Sequence, residues 1–150
     1  MISSFRLSAG LALAGFMCMT SPGWADTQTD AIAARQVNQK VIGELADTLR
    51  KAAAANTPVA SLAPQTTELA ERAHRQAALF ALKTDAIGNS KSKPEIWTQP
   101  EAFAEASARF VAAADKLDML AKAGDTAGFA DQLKITGGTC GACHREFRNR

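Results

Sequence analysis

Two cysteines and a histidine near the C-terminal end constrain this chain more than any other feature. They stand as Cys140-Gly141-Ala142-Cys143-His144. One helical turn separates the thiols, so both fall on one side of a helix, and the next residue brings an imidazole beside them. A thiol pair of this spacing serves three chemistries. A structural zinc site needs four ligands, and outside the motif the chain offers only His74 and Cys18. A thioredoxin-like dithiol expects a βαβ setting, and no strand pattern precedes this pair. The third chemistry uses the histidine as well. C-x-x-C-H is the attachment sequence of a c-type haem, in which the thiols become thioethers and the imidazole an axial iron ligand. We therefore expect one haem c, held covalently through Cys140 and Cys143, with His144 on the iron.

The other end of the chain explains why only two cysteines are left for this task. Residues 1–25 read as a secretory leader: Arg6 is the positive charge, Leu7 to Met19 is apolar or small, and Pro22-Gly23-Trp24-Ala25 ends in small residues. The apolar run is short for a transmembrane span. Gly15-Phe16-Met17 before Cys18 makes a poor lipoprotein signal. Cleavage after Ala25 removes Cys18 and leaves a domain of residues 26–150. It also removes Arg6, so 16 basic residues face 15 acidic ones. That balance gives no sign of nucleic-acid binding. Export predicts a periplasmic protein with no membrane attachment after cleavage, in the compartment where c-type haems are attached.

The remaining chain reads as four helical segments without a convincing strand. Segment one runs from about Thr29 to Ala54. Ile32, Arg35, Gln39, Ile42, Ala46 and Leu49 recur at spacings of three and four, which sets two polar residues into an apolar seam. Asn56-Thr57-Pro58 breaks it. Segment two, from about Leu62 to Leu82, carries Pro64 in its first turn and a stripe of Leu62, Leu69, Ala73, Gln76 and Phe80. His74 falls off that stripe and is expected at the surface. Thr84 to Trp97 reads as a solvated loop made basic by Lys91 and Lys93. Thr98-Gln99-Pro100-Glu101 has the form of a capping box that opens segment three. Phe103, Ala106, Phe110, Ala113, Leu117 and Leu120 form its seam, and Met119 beside it reads as core filler. Gly124-Asp125 separates segments three and four. Phe129, Leu133, Thr136, Cys140, Cys143 and Phe147 continue the spacing, so the motif lies on a core-facing helix surface. Gly137, Gly138 and Gly141 each lower helix propensity by about 1 kcal/mol relative to alanine. Close approach of a flat macrocycle would justify them. Four amphipathic helices with short connections predict an all-α, antiparallel four-helix bundle with covalent haem c in its core. The apo-chain is expected to fold poorly, because haem completes the core.

Beside this reading stands a resemblance. Arg35-Gln36, Lys93-Pro94-Glu95-Ile96-Trp97, Phe103, and Cys140-Gly141-Ala142-Cys143-His144-Arg145-Glu146-Phe147-Arg148 together resemble the cytochrome c′ family. The resemblance spans about Asp30 to Arg148. It implies a four-helix bundle, one covalent haem, a periplasmic location and, as is often the case in that family, a homodimer through the first two helices. It also implies roles. Arg35 matches the family arginine that approaches a haem propionate, and a guanidinium on a core face does need an anion. Arg148 matches a basic position one turn beyond the haem histidine.

The resemblance divides into two sub-types at the residue four positions after the arginine. A methionine there closes the sixth iron position and gives a low-spin electron carrier. A non-ligating residue, often apolar, leaves five-coordinate high-spin iron that takes up NO or CO. Here the residue is Gln39, which departs from both patterns. A carboxamide is a weak ligand for haem iron, so we expect an open sixth position, with Gln39 acting on a bound ligand or a water. The expected function is gas binding with electron transfer to an unidentified redox partner. The alternative is a six-coordinate low-spin carrier of the same fold. Enzymatic turnover is not expected, because the distal seam offers no histidine or carboxylate for acid–base work.

Overall fold

The structure, a computed structural model, describes residues 24–85 and 87–150. The expected leader lies outside the described residues except for Trp24 and Ala25, which open the first helix. Helix α1 (Trp24–Ala54) is followed by a 3₁₀ turn at Val59–Leu62 and by α2 (Ala63–Gln76). A second 3₁₀ turn, Ala77–Phe80, prolongs α2. Then come a one-turn helix α3 (Glu95–Thr98), α4 (Pro100–Ala123) and α5 (Thr126–Phe147). The four long helices form the expected bundle. Among the described residues the sheet-like element is a single antiparallel bridge between Ser92 and Arg148.

Local chemistry sets the helix ends. Asn56 takes the left-handed conformation, φ 54°, and the Thr57 amide donates back to the Ala52 carbonyl, which closes α1 before Pro58. Pro64 sits in the first turn of α2, where its missing N–H costs nothing. Gly124 ends α4 at φ 68°, and its amide donates to the carbonyls of Ala121 and Leu120. One residue on, the Asp125 carboxylate accepts from the Gly128 amide at 2.9 Å and caps α5. A Cβ at Gly128 would meet that same carboxylate and the tip of Leu120, so a larger residue would push the cap aside.

The core has two parts. The larger packs Ile42, Leu45 and Leu49 of α1 against Leu69 and Ala73 of α2, Phe110 and Leu117 of α4, and Phe129 of α5. The smaller gathers Ile96, Phe103 and Phe147 at the other end, with Phe80 beside them. Phe103 meets Phe80 at 5.0 Å and Phe147 at 5.3 Å between ring centroids, tilted and edge-to-face.

Several expectations from sequence are corrected here. The capping box is not made. Residues Glu95–Thr98 already form a helical turn, so Thr98 is helical, and its hydroxyl donates to the Pro94 carbonyl at 3.3 Å. Gln99 precedes α4 without a side-chain cap. The loop Thr84–Trp97 therefore ends early. It is not simply solvated either, because Thr84, Ser92 and Ile96 are buried. Met119 is 68% exposed, not core filler. Leu133 is only half-buried, packed on the edge of the larger core. Helix α1 buries a second face, Asn38 and Leu45, which a single-seam reading does not find. The Asn38 amide donates to the Arg72 carbonyl of α2 at 3.3 Å.

Candidate haem site

The rotation of α5 about its axis decides where its thiols point, and two polar side chains fix that rotation. The Gln132 amide donates to the Ala113 carbonyl of α4 at 3.0 Å, and the Thr136 hydroxyl is shared between that carbonyl, at 3.2 Å, and the Gln132 carbonyl of its own helix, at 2.9 Å. Both are buried, so these hydrogen bonds between α5 and α4 lie out of water. With α5 held this way, Cys140 and Cys143, one turn apart, face the space between α5 and α1. They are half-buried free thiols. Cys140 Sγ approaches the Thr136 carbonyl at 3.5 Å. Burial pushes both thiols up from their ordinary value. Cys143 reaches about 11, with Cys140 and Glu146 adding to the effect of burial. Protonated, shielded thiols of this kind await a reaction partner and are not preactivated nucleophiles.

The space they face is a cleft of about 580 Å³. Cys140, Cys143, His144 and Phe147 of α5 form one wall. The opposite wall is the α1 seam read from the sequence: Ile32, Arg35, Gln39, Ile42 and Ala46. Phe80, Ile96, Phe103 and Phe110 close it with apolar surface. The sequence thus placed the two long walls correctly. His144 is exposed at the cleft, and its imidazole is held below its ordinary pKa by burial and by the Arg148 charge. It is a neutral nitrogen donor at physiological pH.

Arg35 is 5% exposed, and burial lowers its pKa. Its Nη1 donates to Thr84 Oγ1 at 2.8 Å and Ser92 Oγ at 2.9 Å, while Nε and Nη2 both reach the Leu79 carbonyl at 3.2 Å. The guanidinium carbon lies 4.2 Å from the Phe80 ring centroid and 5.8 Å from that of Trp97. These partners are neutral. The charge is buried at the cleft with no carboxylate on it among the described residues, and one N–H of its five is left over. Thr84 and Ser92 escape sequence reading because they stand in a polar stretch that resembles a solvated loop.

Gln39 is half-buried on the cleft wall, and Arg148 is exposed at the rim. The remaining candidates fall elsewhere. His74 is an exposed residue of α2 that pairs with Asp115 of α4 at 2.9 Å. Gly137 and Gly138 are exposed and do not border the cleft, and Gly141 has the Arg145 guanidinium as its neighbour. Close approach of a macrocycle therefore does not account for these glycines, and nothing in the structure explains Gly137 and Gly138.

The residues present fit a porphyrin. The volume is that of a cofactor pocket, the lining surface is mostly apolar, two thiols and an imidazole converge on one side, and a buried cation lacks its anion. A four-helix bundle with a C-x-x-C-H helix facing such a cleft has the make-up of a helical c-type cytochrome. The comparisons agree. The family model described as Cytochrome C' matches residues 30–148, and the chain belongs to the cytochrome c′ family, which carries haem c. A cytochrome c' of Rubrivivax gelatinosus is 37% identical over 71 residues, a stretch covering 47% of this chain and 55% of that protein. The chain thus spans about half the length of the curated relatives it matches. The crystal structure of cytochrome c' from Rubrivivax gelatinosus is 28% identical and covers 81% of this chain and 97% of its own, with a TM-score of 0.75. A nitric oxide complex of a cytochrome c prime mutant from Alcaligenes xylosoxidans, 22% identical, covers 82% of this chain and 96% of its own at the same TM-score. At that identity it speaks for the fold alone.

Proposed function

We propose that the chain is a periplasmic mono-haem cytochrome of the cytochrome c′ kind, whose iron is five-coordinate and high-spin, takes up NO or CO, and exchanges electrons. One observation carries this reading. Among the described residues no methionine, and no histidine besides His144, lines the cleft. Haem, when bound, would supply a redox-active iron able to take a small ligand.

The chain's own groups do the rest. Cys140 and Cys143 hold the macrocycle through thioethers, and His144 gives the iron its protein ligand. The remaining Arg35 N–H offers a charge-assisted hydrogen bond to a propionate. The Gln39 amide donates to a bound diatomic or retains a water. Arg148 keeps the proximal edge positive. The nitric oxide complex of the Alcaligenes xylosoxidans protein supports gas binding by analogy. Residues 1–25 act as the export signal, and among the described residues no helix is long and apolar enough to cross a membrane. A homodimer would use the outer face of α1, where Val37 is exposed. The reading assigns no enzymatic turnover.

The test is spectroscopic. Resonance Raman of the ferric and ferrous protein should show high-spin iron, and CO should bind the ferrous form reversibly. A ferrous protein that is low-spin and ignores CO would overturn the reading.

A further inference from the structure

Half of the 16 described lysines and arginines form ion pairs with carboxylates of their own chain. The other half do not scatter. Lys51 and Lys116 stand apart, but Arg35, Lys91 and Arg148 line the cleft, and Lys93, Arg145 and Arg150 stand within three residues of Lys91 or Arg148. Tertiary structure makes this cluster. The Lys93 amide donates to the Phe147 carbonyl at 3.0 Å, the Asn149 amide donates to the Lys91 carbonyl at 2.8 Å, and Ser92 bridges Arg148 between them. Two basic segments far apart in sequence are thereby laid side by side. Lys93 Nζ is spent on the Arg145 carbonyl, at 3.0 Å. Lys91, Arg145, Arg148 and Arg150 remain exposed, with Glu146 as the one carboxylate side chain in either segment.

Such a cluster repels itself, and among the described residues elsewhere all the lysines and arginines except Lys51 and Lys116 pair with a carboxylate of the chain. An unneutralised patch is a steering surface for an oppositely charged partner. Lys91 and Arg148 border the cleft itself, so a partner seated on the patch is brought to the mouth of the cleft that would hold the haem. The exposed large apolar side chains, Val37, Leu82, Met119 and Ile135, are all outside the patch. A membrane surface would need such anchors beside the charges.

We infer that the basic face formed by residues 91–93 and 145–150 docks an acidic protein that exchanges one electron with the haem. One electron leaves the ferrous iron for the partner's oxidised centre, or returns from its reduced centre, and no bond is made or broken. The inference rests on the proposed haem function.

The experiment times oxidation of the ferrous holoprotein by anionic hexacyanoferrate(III) and by cationic tris(phenanthroline)cobalt(III), at ionic strengths from about 10 mM to about 200 mM, where the Debye length falls roughly fourfold. The hexacyanoferrate rate should fall with salt. Lys91→Glu with Arg150→Glu should lower it at least about threefold at low salt and raise the cobalt rate. Lys51→Glu with Lys116→Glu makes the same change in net charge away from the patch and should move both rates far less. Equal behaviour of the two double variants overturns the inference. So does sedimentation of the wild type with phosphatidylglycerol vesicles that the Lys91→Glu, Arg150→Glu protein loses, since the face would then serve a membrane. The haem spectrum is recorded before each run, so a chain without haem, which defeats the proposed function, is told apart from a cytochrome indifferent to its patch.

Discussion

Arg35 Nη1 donates to Ser92 Oγ at 2.9 Å, and through that bond the first helix holds the segment that bridges to Arg148 beyond the haem motif. The arginine binds the two walls of the cleft to each other as well as facing the cleft.

Replacing Arg35 should therefore damage the fold even before haem is considered. Arg35→Leu leaves the Leu79 carbonyl and the Thr84 and Ser92 hydroxyls without their donor. The expected loss is about 2–4 kcal/mol by chemical denaturation. Hydrogen exchange should rise first at residues 90–93. Arg35→Lys should recover little, because an ammonium cannot reproduce a planar fork that reaches three separate partners.

Haem attachment is checked by mass. The denatured protein should weigh as much as its chain plus one haem, and acid–organic extraction should not remove that mass. Cys140→Ala should leave one thioether and lower holoprotein yield. His144→Ala should keep both thioethers and change the spectrum in both oxidation states, because the strong proximal ligand is gone.

Gln39 is the residue whose replacement should switch the sub-type. Gln39→Met places a thioether on the wall opposite His144 and should convert the iron toward six-coordinate low-spin, with CO binding suppressed. Gln39→Leu should keep the iron high-spin and shift the bound-CO stretching frequency by removing an amide donor. Identical CO spectra for wild type and Gln39→Leu would show that the amide never reaches the ligand.

Asp118 should make part of the stability acid-sensitive. Burial raises its carboxyl, but hydrogen bonds from Lys122, Thr67 and Thr66 outweigh that and hold it below the usual carboxylate range. Its Oδ1 accepts from Thr66 at 2.9 Å and Thr67 at 2.8 Å, so it fastens the start of α2 to α4. A depressed folded-state pKa stabilises the protein above the ordinary carboxylate value, near 3.9, and that stabilisation is lost as pH falls through the folded value. Between neutral pH and about pH 3, the wild type should lose more stability than Asp118→Asn does. Parallel curves would mean that the carboxylate is not coupled to folding.

The two long walls of the site were legible in the sequence because they obey helical periodicity. Ile32, Arg35, Gln39, Ile42 and Ala46 share a face through spacing alone, and so do Cys140, Cys143 and Phe147. The left-handed Gly124 and the Asp125 cap are likewise local chemistry, and they end and start helices where the sequence says they should. Local chemistry also misleads where two signals compete. The Thr98 capping box lost to the helical turn beginning at Glu95, because a threonine already inside a helix satisfies its hydroxyl on the carbonyl four residues back.

What the sequence by itself determined is the helical period, the helix ends at Asn56, Gly124 and Asp125, and the C-x-x-C-H spacing on which the proposed haem attachment rests, since each depends on residues within a turn or two of one another. The tertiary structure decided the rest. It set the rotation of α5 through two side chains on the Ala113 carbonyl, and it gave Arg35 its neutral partners in a stretch that reads as solvent-facing. It also laid Lys91 beside Arg148 across more than fifty residues of chain. The physical reason is the same in each case. A buried polar group must find its partner somewhere in three dimensions, and nothing in the spacing of a sequence says which distant donor or acceptor will be there.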